Sequence, residues 1–221
     1  MSKSVSITLP DVVLQGDLAV PRGATGIVAF AHGSGSGRHS PRNRFVAEKL
    51  NEAGLATLLM DLLTEEEERI DDVTAELRFD IGLLARRTAQ VVQWIGGQPK
   101  LRDLPCGLFG ASTGAAAALV AAASLPEGAV RTVVSRGGRP DLAAQSLPRV
   151  RCPVLLIVGG DDDVVIGLNE QAKARLRCRC ELKIVPGATH LFEEPGTLEQ
   201  AAKLAAGWFA RHLQVAEESF A

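Results

Sequence analysis

Tyrosine is absent from the 221 residues of this chain, which excludes any mechanism that needs a phenol as acid, base or nucleophile. The four cysteines, Cys106, Cys152, Cys178 and Cys180, lack the spacing of a disulfide scaffold, and a reducing compartment fits them. No run approaches the roughly 18 apolar residues of a membrane span, and Met1–Ile7 lacks the apolar stretch of a signal peptide. A cytoplasmic protein without a membrane partner is expected. Charge of one sign is also missing: 24 Lys and Arg stand against 26 Asp and Glu, a formal net charge of −2. Such a balance supplies no electrostatic footprint for nucleic acid or anionic lipid and leaves a small-molecule partner. Repeats, low-complexity tracts and linkers are likewise lacking, so residues 1–221 are expected to form one domain.

What is present is alternation. Short β-rich runs bounded by Gly, Pro and Asp are separated by longer Ala/Leu/Glu/Arg-rich stretches with helical spacing, an α/β pattern. Val5–Leu9 and Leu14–Val20 alternate as an antiparallel pair at a sheet edge does. Ile27–Ala31, Ala56–Met60, Gly107–Phe109, Val130–Ser135, Val154–Val158 and Leu182–Val185 are near-continuous apolar runs, the signature of parallel strands covered on both faces. Helices are expected over Arg44–Ala53, a long segment near Asp72–Ile95, Ala115–Ser124, Leu168–Leu176 and Leu198–Leu213. Asp71-Asp72 and Thr197 serve as starting caps. The acidic run Glu65–Glu68 reads as the solvated start of a helix rather than a binding tail.

One strand ends in Gly110-Ala111-Ser112-Thr113-Gly114 and runs into an Ala-rich helix. A serine on a sharp strand-to-helix turn needs small residues two before and two after it, and Gly110 and Gly114 supply them. The turn lifts the Ser112 hydroxyl above the sheet, while the helix aims unpaired N–H groups, that of Thr113 among them, at an anion beside it. Serine is a poor nucleophile without a base and a group to orient that base. Both follow. Asp161-Asp162-Asp163 lies after the strand Val154–Val158, and His190 lies after Leu182–Val185, each in a loop at a strand's carboxyl end, where ligand crevices form. The loop His32-Gly33-Ser34-Gly35-Ser36-Gly37-Arg38 would bring a second N–H; Ser34 is chosen, with Gly33 and Gly35 as neighbouring alternatives. His32 is expected to pin this loop by hydrogen bonds rather than act as an acid. His39 falls in a Gly/Ser-rich loop, and His212 suits the negative end of the last helix.

On these residues the chain resembles the α/β-hydrolase superfamily and, within it, the small dienelactone-hydrolase-like proteins. His32-Gly33, the Ser112 elbow, Gly159–Val165 and Gly187–Phe192 stand in the family's order over nearly the whole chain. The resemblance implies an α/β-hydrolase fold: a mostly parallel sheet of about eight strands, the first pair an antiparallel edge, helices on both faces and no lid domain. It implies Asp162 as the triad acid, with Asp161 and Asp163 as local alternatives. It also implies cleavage of small carboxylic esters, with lactones and thioesters as open alternatives, without a cofactor, with Ser112, Asp162 and His190 catalytic and Ser34 and Thr113 forming the oxyanion hole. Dienelactone hydrolases proper carry a cysteine nucleophile where this chain has Ser112, so the lactone substrate does not come with the fold.

Rival chemistries fit poorly. Arg38 stands where the third glycine of a dinucleotide fingerprint belongs, no phosphate-binding P-loop is present, and Cys178-Arg179-Cys180 lacks the second ligand pair of a zinc site. No metal is expected. Only 18 positions separate Ser135 from Pro153, where superfamily lids often enter, so the pocket should be open and shaped by Arg38, Arg42, Leu62, Leu63, Arg136 and Phe192. Arg38, Arg136 and Phe192 are the substrate-binding candidates; Arg136 would receive a substrate carboxylate or pair with a local acid. Monomer and homodimer are both compatible with the sequence. The competing reading is a catalytically silent binding protein on the same fold.

Overall fold

The computed structural model describes residues 2–214. Eight strands form one sheet in the order β1-β2-β4-β3-β5-β6-β7-β8. β1 (Lys3–Thr8) and β2 (Val13–Ala19) are antiparallel to each other, and β2 is antiparallel to β4 (Ala56–Met60). β3 (Ile27–Ala31), β4, β5 (Cys106–Ala111), β6 (Thr132–Arg136), β7 (Val154–Gly159) and β8 (Cys180–Val185) run parallel. The six apolar runs thus form the parallel core of the sheet.

The helices divide between its faces. Alternate strand residues Ala29, Leu108, Val133 and Leu156 pack against α3 (Ile81–Gly97) and α4 (Thr113–Ser124). Their sequence neighbours Phe30, Phe109, Val134 and Ile157 face α1 (Pro41–Glu52) and α6 (Thr197–His212). Burial on both faces is why these strands show no polar alternation. Trp208 of α6 donates from Nε1 to Thr132 Oγ1 at 2.7 Å, and half-buried Trp94 of α3 packs on the opposite layer. α5 (Asp163–Arg175) follows β7. Only two 3₁₀ turns, Pro140–Ala143 and Leu147–Arg149, occupy the connection from β6 to β7, so no lid domain enters there.

Four helix expectations are corrected. The segment near Asp72–Ile95 is two helices, α2 (Glu65–Thr74) and α3, separated by a 3₁₀ turn at Leu77–Phe79. The break comes at Ala75, whose left-handed backbone (φ 53) ends α2. Asp71-Asp72 does not start a helix. Thr64 does: its side chain accepts from Glu67 N–H while Glu67 accepts from Thr64 N–H, a reciprocal capping box. Asp71 instead is buried in an ion pair with Arg78, and its Oδ1 also accepts from Leu77 and Arg78 N–H. Thr197 is the first residue of α6 rather than its cap, a place held by Gly196 at φ 81. α5 starts at Asp163, earlier than the expected Leu168. Among the described residues no helix is long and apolar enough to cross a membrane.

Candidate active site

The carboxyl ends of β5, β7 and β8 carry the three residues singled out by spacing. Ser112 stands between β5 and α4 with φ 51 and ψ −122, a conformation that stores about 1–3 kcal/mol of backbone strain in a non-glycine residue. The turn is possible because strand and helix almost touch. A Cβ on Gly110 would lie 2.4 Å from Ala115 Cα, and one on Gly114 would lie 2.2 Å from the Ala31 carbonyl oxygen. Backbone bonds to the end of β6 hold the turn: Ser112 N–H donates to Arg136 O at 3.3 Å, and Arg139 N–H donates to Ser112 O at 3.1 Å.

Ser112 Oγ lies 3.4 Å from His190 Nε2, and His190 Nδ1 lies 2.7 Å from Asp162 Oδ2. The carboxylate can only accept, so Nδ1 carries the proton and Nε2 is left to accept from the serine hydroxyl. The loops that carry Asp162 and His190 are joined directly, since Asp161 N–H donates to Ala188 O at 2.9 Å and Gly160 N–H to Val185 O at 2.8 Å. Glu194 steadies the histidine loop by accepting from both the N–H and the hydroxyl of Thr189. Of the acidic run, Asp162 is therefore the member on the histidine, while Asp163 opens α5.

The loop after β3 closes the other side. Ser34 N–H donates to Thr113 Oγ1 at 2.9 Å, tying this loop to the elbow; in this arrangement the Ser34 donor is engaged by Thr113. His32 is buried, donates from Nδ1 to Gly33 O and accepts at Nε2 from Leu62 N–H, both at 2.9 Å. These two bonds fix the neutral tautomer, and burial holds its pKa below the ordinary histidine value.

Ser112, His190, Gly33, Ser34, Ser36, Ser40, Arg42, Asn43, Arg136 and Leu191 are among the walls of a pocket of about 210 Å³. On the other side of the loop at residues 33–42, whose Gly33, Ser34, Ser36, Ser40 and Arg42 line both, lies a larger polar cleft of about 1070 Å³ walled by α2, Asp61, Arg38 and Arg78. The three substrate-binding candidates separate here. Arg136 reaches the small pocket. Arg38 lines the larger cleft, where its guanidinium is bound to Asp61, whose Oδ1 also accepts from Arg38 N–H at 2.7 Å. Phe192 is only 1% exposed, at φ 57, and lies behind Arg136 with its ring 5.5 Å from the guanidinium carbon. Sequence reasoning missed the capping box at Thr64 and the Ser34–Thr113 bond. The first was readable as Thr-x-x-Glu; the second joins residues 79 apart and had no local signal. Among the described residues no three His, Cys, Asp or Glu side chains gather to hold a metal ion.

Comparison with known proteins agrees with this architecture. A solved dienelactone hydrolase from Anabaena variabilis is 57% identical, covers 97% of this chain and 99% of its own, and superposes with a TM-score of 0.95. Est1E from Butyrivibrio proteoclasticus shares the fold at 15% identity, with a TM-score of 0.79 over 95% of this chain and 98% of its own. Two Mycobacterium tuberculosis proteins named "Putative phosphoribosyl transferase" are 59% identical over 211 residues, 96% of this chain but 46% of their own length. The chain thus spans about half the length of these relatives. The sequence pattern of the dienelactone hydrolase family matches residues 14–217, and the chain belongs to that family.

Proposed function

We propose that this protein is a serine hydrolase of small carboxylic esters, working through an acyl-enzyme on Ser112. Family membership and the 57% identical dienelactone hydrolase support hydrolysis. The observation that carries the finer reading is the chain of contacts from Ser112 Oγ through His190 to Asp162. His190 Nε2 takes the hydroxyl proton as Ser112 Oγ attacks the carbonyl carbon, and Asp162 stabilises the imidazolium. The 3.4 Å separation is long for a hydroxyl hydrogen bond, and such catalytic bonds tighten when substrate is bound. The tetrahedral oxyanion is received by Thr113 N–H at the start of α4 and by an N–H of the loop after β3. Ser34 N–H is the chosen donor, exchanging Thr113 Oγ1 for the oxyanion, with Gly33 and Gly35 beside it. The imidazolium protonates the leaving alkoxide, and water, deprotonated by the same histidine, releases the acid and restores Ser112.

Within this reading Arg136 is the substrate-binding residue, Phe192 supports it from behind, and Arg38 shapes the outer cleft. The name of the mycobacterial relatives belongs to proteins about twice as long and does not alter the chemistry read from these side chains.

A fluorophosphonate probe should label Ser112, and Ser112→Ala should lower kcat on short p-nitrophenyl esters by about 10³-fold or more while leaving the urea unfolding midpoint nearly unchanged. Unlabelled Ser112, or turnover that survives the substitution, would favour a catalytically silent binding protein.

A further inference from the structure

Arg136 is buried at the end of β6, with 6% of its surface exposed. A guanidinium so placed ordinarily has a carboxylate beside it. Among the described residues none pairs with Arg136. Its polar side-chain contact is a long one, Nη2 to Asn43 Oδ1 at 3.4 Å, and its Nε has no hydrogen-bond partner. The Phe192 ring lies 5.5 Å from its guanidinium carbon, and burial, with the positive charge of Arg42 added to it, brings its pKa down to about 10. The sequence left open whether a local acid would neutralise Arg136, and the described residues supply none.

The same pocket collects further donors from other directions. Arg42 reaches it from the first turn of α1, and its ion pair with Glu193 at 3.0 Å lies at the exposed rim, where such pairs hold weakly and exchange readily. Ser36 and Ser40 line it from the glycine loop; Ser40 Oγ accepts from Asn43 N–H, which leaves its hydroxyl proton to donate. A carboxylate offers two oxygens in one plane, whereas a phosphoryl group offers three, directed to different sides. A tetrahedral anion can present oxygens to Arg136, Arg42 and the two hydroxyls together.

We propose that the pocket beside Ser112 is a phosphoryl subsite, built on Arg136 with Arg42, Ser36 and Ser40, and that the preferred substrate is an ester whose acyl part carries a phosphate or phosphonate group. The acyl placement rests on the serine-hydrolase reading: the acyl group stays on Ser112 after the alcohol departs, and Ser112 lines the small pocket but not the large cleft. The alcohol leaves toward the cleft.

The test compares three p-nitrophenyl esters of similar length: a phosphonopropanoate, a hydrogen succinate and a pentanoate. The phosphonate should exceed the uncharged pentanoate by about 30-fold in kcat/KM, chiefly through KM, as expected of charge-assisted bonds worth about 2 kcal/mol. In Arg136→Met that ratio should fall to within about threefold, and Arg136→Lys should restore part of it. Inorganic phosphate should compete with the pentanoate in the unaltered protein and more weakly in Arg42→Ala. Equal turnover of phosphonate and pentanoate overturns the proposal, and so does a succinate ester that matches or outruns the phosphonate. Calorimetric binding of inorganic phosphate to Ser112→Ala separates the two readings: phosphate binding to the variant, with no ester hydrolysis and no fluorophosphonate label in the unaltered protein, defeats the hydrolase while sustaining the anion site. Ester hydrolysis without phosphate binding does the reverse.

Discussion

A single buried imidazole fixes much of what surrounds Ser112. His32 receives a backbone N–H from Leu62, after β4, and gives its proton to Gly33, at the start of the glycine loop. Protonation would convert its acceptor nitrogen into a donor facing another donor, and burial already holds its pKa below 6.5. The unfolded chain therefore binds this proton more readily than the folded one. The stability His32 contributes is present above about pH 6.5 and declines as pH falls toward the lowered folded value. Urea unfolding at a series of pH values should show the unaltered protein losing up to about 1.4 kcal/mol per pH unit from this group below that point. His32→Asn should start less stable and lack this component of the slope. An identical slope in the variant would assign the loss to other groups.

Among the elements, α4 is packed against backbone at its first turn. Its first turn holds Thr113 and Gly114, and the Gly114 backbone lies against the carbonyl oxygens of Ala31 and His32. Gly114→Ala should cost at least about 3 kcal/mol, because the added methyl group meets backbone rather than a flexible side chain. The fall in urea midpoint should be accompanied by loss of the proposed esterase activity as Ser112 is displaced; an unchanged midpoint would mean that the strand and helix can separate. This close approach was legible in the sequence, since Gly-x-Ser-x-Gly between an apolar strand and an Ala-rich helix has a steric meaning. The strands were legible for a similar reason: parallel strands covered on both faces are continuous apolar runs. The break between α2 and α3 was not, because it depends on Ala75 adopting φ 53 and on Asp71 turning inward to Arg78 and two backbone N–H groups. Nor was the isolation of Arg136. Its neighbours Asn43 and Phe192 come from α1 and from the loop after β8, and no local pattern announces a missing counter-ion.

At the level of the whole molecule, the sheet separates two apolar layers, and the site lies along the rim where their loops meet. The α1/α6 layer holds Phe192 behind Arg136, while the α3/α4 layer supports the elbow. Neither layer alone completes the pocket. The two indoles divide between these layers, Trp208 with α6 and Trp94 with α3, and with tyrosine absent nothing else in the chain emits strongly in the near ultraviolet. Trp94→Phe and Trp208→Phe therefore turn intrinsic fluorescence into a separate optical report on each side of the sheet. The two emission curves should coincide along a urea titration if the layers melt as one cooperative unit, and a gap between their midpoints would expose a half-melted species with one face still closed.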